Sequence, residues 1–296
     1  MAVFLAGFTG VLGRLITLNE ALLVWYRMLI AVVTIWALYY FQKKIPTIPK
    51  ASILKIVGVG AVVALHWVTF YGSIKYANVS VALVCFSAIG FFTALLEPFI
   101  VKKPFNKIEL LLGLLAMAGI YLIFHFDPQY KTGIIIGLIS ALLASLFTIF
   151  NGLLVKQIKP ETVTLYQLTG GWMFLSLVVP FYLQLFPATH IIPTLSDAGW
   201  LLVLGWFCTV WSFNLAMNAL KKISAFTMNL TYNLEPLYGI ALAFVLFQEH
   251  KLLQGSFYWG LFLIVLSVFL QTWIVYRQHS NPSRRDNPKT RESPVP

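Results

Sequence analysis

Ten apolar stretches follow one another along this chain, at about 1–17, 20–41, 53–75, 79–101, 107–126, 133–156, 164–186, 199–220, 224–248 and 253–276. All but the first have the roughly 20 residues that a helix needs to cross about 30 Å of hydrocarbon. No water is present in that layer to pair the backbone, so such segments must bond their N–H and C=O groups internally, as helices. The expected fold class is an all-α membrane protein with ten transmembrane helices. Composition agrees, since only 10% of the residues are charged, where a soluble domain carries about 25%. The first stretch, from Ala2 to Thr17, is about 16 residues, or roughly 24 Å of helix. It reads as the remainder of a helix whose natural beginning lies upstream.

The formal charge of +11 is explained by topology and needs no nucleic acid partner. With the N-terminus inside, the inner loops receive Lys43, Lys44, Lys50, Lys55, Lys102, Lys103, Lys107, Lys156, Lys159, Lys221 and Lys222, and a polar tail adds further basic residues. Lys75, Lys131 and Lys251 are left outside, and such a bias marks the cytoplasmic face. Both termini are therefore expected in the cytoplasm, with the chain in the inner (plasma) membrane. Residues 277–296 are too polar to bury anything and read as a disordered basic cytoplasmic tail. Cys85 and Cys208 both sit in apolar runs and read as small packing residues.

The chain also repeats itself. "YANVSVAL" (76–83) lies over "KKISAFTM" (221–228), and "LLGLLAMAGI" (111–120) over "YWGLFLIVLS" (258–267), at offsets of about 144 to 147 residues. The implied units are 1–127 and 128–276, each with five spans. An odd number of spans makes the second copy enter from the opposite side, giving two inverted five-helix repeats. In this register Glu235-Pro236 falls on Ala88-Ile89, in mid-helix, and Glu97 falls near Ala243, so the two Glu-Pro pairs are not equivalent.

Ten spans in two halves, with "RMLIA" from Arg27, "IKYANVSVAL" between the third and fourth spans and "NLEPLYGIALAFVLFQE" in the ninth, resemble the EamA-type branch of the drug/metabolite transporter (DMT) superfamily. The resemblance covers the chain to about residue 276. It departs from the family pattern at Phe8-Thr9-Gly10 in place of Trp-Gly, at Ser87-Ala88 in place of Ser-Pro, and at Gln248-Glu249 in place of Gly-Glu. It implies a secondary transporter, an exporter of small organic metabolites such as amino acids or drug-like compounds.

Polar residues inside the spans carry what function the residues themselves suggest. Glu235 is the one charge between Ile223 and Gln248, about eleven residues from either end of its span. A charge there costs about 2.5 to 3.5 kcal/mol on insertion scales, so it needs a partner, a proton or a wet cavity. It reads either as a structural glutamate or as a substrate or proton site, with proton coupling left open. Thr227 and Thr231 precede it at spacings of four, with Asn229, Tyr232 and Asn233 alongside. Pro236 should leave a backbone carbonyl free. Arg27 reads either as an anion site or as a snorkelling side chain. Glu97 reads as an interfacial ion pair with Lys102 or Lys103.

Further stripes are His66, Thr69 and Ser73 with Trp67 and Tyr71 nearby, then Ser145, Thr148 and Asn151, then Trp211, Asn214 and Asn218. They should face inward, as interhelical glue or as cavity lining. The expectation is that His66, Asn151, Asn214 and Glu235 converge on one cavity, with the fifth and tenth spans peripheral. The candidate substrate-binding residues are Glu235, Tyr232, Asn229, Asn233, Thr231, His66, Tyr71, Asn151, Trp211, Asn214 and Arg27. The five histidines are scattered without metal-ligand spacing, and neither a nucleophile elbow, a P-loop nor a dinucleotide fingerprint occurs. No metal, cofactor or enzymatic activity is expected. The expected partners are a small-molecule substrate and membrane lipid. Two other classes stay open: a flippase for lipids or lipid-linked sugars, marked by a groove opening sideways, and a non-transporting scaffold, marked by a fully packed centre.

Overall fold

Punctuation in the sequence decides where the helices start and stop. In a computed structural model, residues 2–43, 45–126 and 128–280 are described, and among them every long element is helical. Helix α1 (Ala2–Leu15) leads into α2 (Glu20–Phe41), which Asn19 caps by accepting from the Ala21 amide. Then follow α3 (Lys50–Tyr76), α4 (Val79–Phe86), α5 (Ile89–Val101) and α6 (Lys107–Phe126). The second half holds α7 (Lys131–Gln157), α8 (Pro160–Leu185), α9 (Leu195–Gly205), a π-turn (Trp206–Trp211) and α10 (Ser212–Leu220). Last come α11 (Ala225–Tyr232), α12 (Glu235–Phe247) and α13 (Gly255–Ser280).

Among the described residues, eight helices or broken helices are long and apolar enough to cross a membrane. The two remaining expected spans are α1, an apolar helix of 14 residues, and the 20-residue α6. Helix α13 is described to Ser280, past the expected end of the span at Tyr276, and the rest of the expected tail, residues 281–296, lies outside the described residues.

Two of these spans are broken in the same way. Helices α4 and α5 are 8 and 13 residues long, and so are α11 and α12. Ala225 starts 146 residues after Val79, Glu235 follows Ile89 by the same interval, and each pair ends in a left-handed residue, Lys102 (φ 58°) and Gln248 (φ 54°). The second break follows from Pro236, which has no N–H to continue a helix and so begins one. The first break has no proline. There the Ser87 hydroxyl reaches back to the Leu83 carbonyl at 3.4 Å, the kind of side-chain bond that competes with the helical ladder. Short i to i−3 contacts satisfy the backbone at both breaks, such as Ala88 N to Cys85 O at 3.1 Å and Leu234 N to Thr231 O at 3.2 Å.

Helix α3 packs on α7 and α8, while α6 and α13 pair with each other at the periphery, as the uniformly apolar sequences of the fifth and tenth spans suggest. Glycine permits the closest crossings, as is common between membrane helices. A Cβ on Gly60 of α3 would lie 2.2 Å from the Gln167 carbonyl oxygen of α8, whereas one on Gly58 would meet nothing within 4 Å. Gly60→Ala should therefore destabilise the bundle by about 1–3 kcal/mol through overpacking. Gly58→Ala should change stability by no more than about 1 kcal/mol, towards greater stability because alanine is the better helix former. Thermal unfolding of both variants in detergent checks this, and equal melting temperatures would contradict the crossing.

Candidate functional site

A cavity of about 90 Å³ lies at the centre of the bundle, between the broken helices and α1, α2, α3, α7 and α10. Its walls are mostly apolar, with Trp67, Phe70, Phe86, Phe147, Phe213 and Met217, and a few polar groups converge on it: Thr9, Arg27, His66, Thr148, Asn151, Asn229, Tyr232 and Glu235. Apolar walls with a few placed polar groups are the usual make-up of a ligand site. Towards the end of the bundle that carries Lys156, Lys221 and Lys222, a second space of about 250 Å³ is lined by those lysines, Glu97, Ser224 and Ala225. Leu220 lines both spaces, standing between cavity and vestibule.

Arg27 is the most constrained polar residue of the wall. It is 2% exposed, so it does not snorkel. Its Nε donates to Thr209 Oγ1 at 2.6 Å, one terminal nitrogen to the Tyr71 hydroxyl at 2.7 Å and the other to the Cys208 carbonyl at 3.1 Å. The guanidinium also stacks on Trp67, 4.0 Å from the ring centre, a favourable cation–π geometry.

The π-turn makes this possible. The Thr209 hydroxyl bonds the Leu204 carbonyl five residues back, at 2.9 Å, and the widened turn presents the Cys208 carbonyl sideways to Arg27. Such one-turn widenings are rare and concentrate at functional sites. Of five guanidinium N–H groups, three are thus committed to neutral acceptors, and no carboxylate among the described residues lies within 4 Å.

Glu235 occupies the opposite condition. It begins α12 at the break, is 4% exposed, and makes no hydrogen bond or ion pair among the described residues. The cavity wall thus holds one buried guanidinium and one buried carboxyl group with no salt bridge between them. Asn151 and Asn229 are fully buried on the wall, each oriented by one neighbour: Gln167 Nε2 donates to Asn151 Oδ1 at 2.9 Å, and Asn229 Nδ2 donates to Thr93 Oγ1 at 2.7 Å. Their other amide atoms, Asn151 Nδ2 and Asn229 Oδ1, have no partner. His66 Nδ1 lies 3.0 Å from the Ser140 carbonyl and 2.9 Å from its hydroxyl, and the ring stacks on Phe86. It is a packed histidine that also faces the cavity.

The expected convergence is met by His66, Asn151 and Glu235, together with Arg27, Tyr232 and Asn229. It is not met by the α9–α10 stripe. Trp211 is 45% exposed, and Asn214 lines a separate cleft with Tyr39, Gln42 and Glu161. The extra residue of the π-turn rotates the following helix, so Ser212, Phe213 and Met217 take the inward positions. Thr231 is exposed and bonds the Thr227 carbonyl at 2.9 Å, because the break at Asn233–Leu234 ends the helical register that would have aligned it with Glu235. Asn233 is buried at the break beside Gly90 rather than on the cavity wall. Tyr71 stands behind the wall, as a support for Arg27. Sequence reasoning missed Thr209 and the Cys208 carbonyl; the only local signal was a threonine five residues after Leu204.

The pattern that defines the EamA-like transporter family is matched over residues 1–125 and 131–273. The chain belongs to that family. It is a multi-pass membrane protein. A Haemophilus influenzae protein described as an uncharacterized transporter is 26% identical over 164 residues, which are 52% of this chain and 53% of that protein. The match thus spans about half the length of that relative. A solved structure, described only as a crystal structure of a protein, superposes on 94% of this chain and 96% of its own with a TM-score of 0.67 at 16% identity. At that identity the likeness is one of fold.

If Thr209 holds Arg27, Thr209→Val keeps the shape and leaves a guanidinium N–H unpaired, which costs about 1.5–3 kcal/mol for a bond to a charged group. Its melting temperature should fall well below that of Asn218→Leu, an exposed control on α10. Equal values would show that the π-turn does not carry the arginine.

Proposed function

We propose that this chain is a secondary transporter of small organic metabolites, working by alternating access around the central cavity. The observation that carries the reading is that Arg27 and Glu235, a buried guanidinium and a buried carboxyl group, line one cavity without a salt bridge between them. A packed scaffold would gain by joining them, because a buried charge without a partner is expensive. A substrate carrying both an anionic and a cationic group complements the gap, and an amino acid or a related zwitterion is the simplest such molecule. A cavity of about 90 Å³ suits a small metabolite better than a drug-sized compound, which needs several hundred.

The repeated break supports two five-helix units, 1–127 and 128–276, related as inverted copies, and with α1 and α6 counted the chain supplies ten spans. Discontinuous helices meeting at mid-depth are the usual site-builders in inverted-repeat transporters. The lysine bias supports placing both termini and the vestibule in the cytoplasm of a plasma membrane, and export is the direction that the family resemblance implies. A flippase would use a sideways opening. The groove between α3 and α7, about 490 Å³, shares no lining residue with the cavity.

The test is transport in proteoliposomes by Glu235→Gln. It keeps shape and removes titration, so transport of a zwitterionic substrate should stop or lose its pH dependence while the protein still folds. Glu97 is paired with Lys103 at 2.9 Å, and Glu97→Gln should change the rate little. A Glu235→Gln protein with wild-type rate and pH profile would make the glutamate structural and end the reading.

A further inference from the structure

The Gln248-Glu249 pair stands outside the cavity, and the transport site makes no use of it. Yet Glu249 is 2% exposed and has no cation within 4 Å among the described residues. Its carboxylate sits on the start of α4. One oxygen accepts from the Val79 amide at 3.0 Å, the other from the Ser80 amide at 2.9 Å and the Ser80 hydroxyl at 2.6 Å. Free amides at a helix start, with the helix dipole behind them, are a natural seat for an anion. Here the anion belongs to the segment that follows α12, so the three bonds tie the far end of one broken span to the near end of the other.

Below this tie the seam is closed. A Cβ on Gly239 of α12 would lie 2.6 Å from Leu83 of α4, and one on Gly10 of α1 would lie 3.3 Å from Val79.

The opposite end of the bundle provides the contrast. The residue 146 positions before Glu249 is Lys103, which turns away to Glu97 at 2.9 Å. The helix start equivalent to that of α4 is that of α11, where Ser224 and Ala225 line the open vestibule of about 250 Å³. One end of the paired broken spans is therefore tied by a buried carboxylate, and the equivalent place at the other end is open.

We infer that Glu249 is the latch of the mouth opposite the vestibule: its docking on the start of α4 holds the cavity shut at the end of the bundle where Lys75 bonds the Ile16 carbonyl and Thr17 meets His190, and its release is required for that side to open. The inference rests on the alternating-access reading above. It assigns to Glu249 a control of which side the cavity faces, without contact with substrate.

Native chemistry supplies the probe. Cys208 lines the cavity and Cys85 does not; the chain has no other cysteine. In a Cys85→Ser background, a membrane-impermeant methanethiosulfonate is applied to oriented proteoliposomes from one side or the other, and labelling of Cys208 is followed by mass. The parent, latched by Glu249, should react from the vestibule side and slowly from the His190 side. Glu249→Ala should react at least about tenfold faster from the His190 side, the population shift expected on losing a charge-assisted hydrogen bond. Glu249→Gln, which keeps the shape and one acceptor, should show a smaller gain and decides the matter if the alanine variant does not fold. Unchanged labelling from the His190 side in the folded variants, with the vestibule side still reactive, overturns the latch and leaves the transport reading standing. Labelling of the parent from neither side overturns both.

Discussion

A guanidinium held inside an apolar bundle by neutral groups is the interaction on which the rest of this structure turns. Arg27 cannot be solvated where it stands, so each committed N–H needs an acceptor, and each acceptor shapes the element that carries it. The Cys208 carbonyl is available because the helix widens by one residue between Trp206 and Trp211. The Tyr71 hydroxyl is in place because α1 offers Gly13, where a Cβ would stand 2.2 Å from the tyrosine ring. Gly205 lets the π-turn region approach Ile30 of α2. The carboxyl group that could complete the set, Glu235, lines the same cavity and forms no salt bridge with Arg27.

The same economy governs the two broken spans. A helix interrupted inside a membrane leaves backbone groups unpaired, a condition tolerated only where protein or a cavity receives them. Both breaks occur at the same distance from their helix starts, and both deliver residues to the cavity: Phe86 and Ile89 from the first, Tyr232 and Glu235 from the second. One break is made by a proline and the other by a serine hydroxyl, so the geometry is shared although the residues are not. The ends of the two pairs differ in charge, Glu249 against Lys103, and the packing follows that difference.

Much of this was legible in the sequence, and the reasons it was or was not are physical. Long uncharged runs fix helices because a bilayer leaves the backbone no alternative, and the boundaries of α6 and of the span 79–101 were read to the residue. The ion pair of Glu97 was readable from the adjacent lysines. The break at Ser87–Ala88 was not, because a serine that bends a helix looks like any other serine. Asn214 and Trp211 were misplaced because a count of 3.6 residues per turn was carried through a π-turn, and Thr231 because it was carried across a break. Phase is a cumulative quantity, and one extra residue or one interruption turns every later side chain to another face. Arg27 could be named from the sequence, but its partners lie 44 to 182 positions away, beyond any local pattern.

The central claim, that Arg27 and Glu235 are two ends of one binding site, is tested most directly by ligand-dependent melting of the purified protein. A panel of small metabolites matched in size, and either anionic, cationic, neutral or zwitterionic, is tested on the parent, on Arg27→Gln and on Glu235→Gln. The account predicts that zwitterions raise the melting temperature of the parent and of neither variant. A shift that persists in both variants, or that ignores the charge type of the ligand, would contradict it.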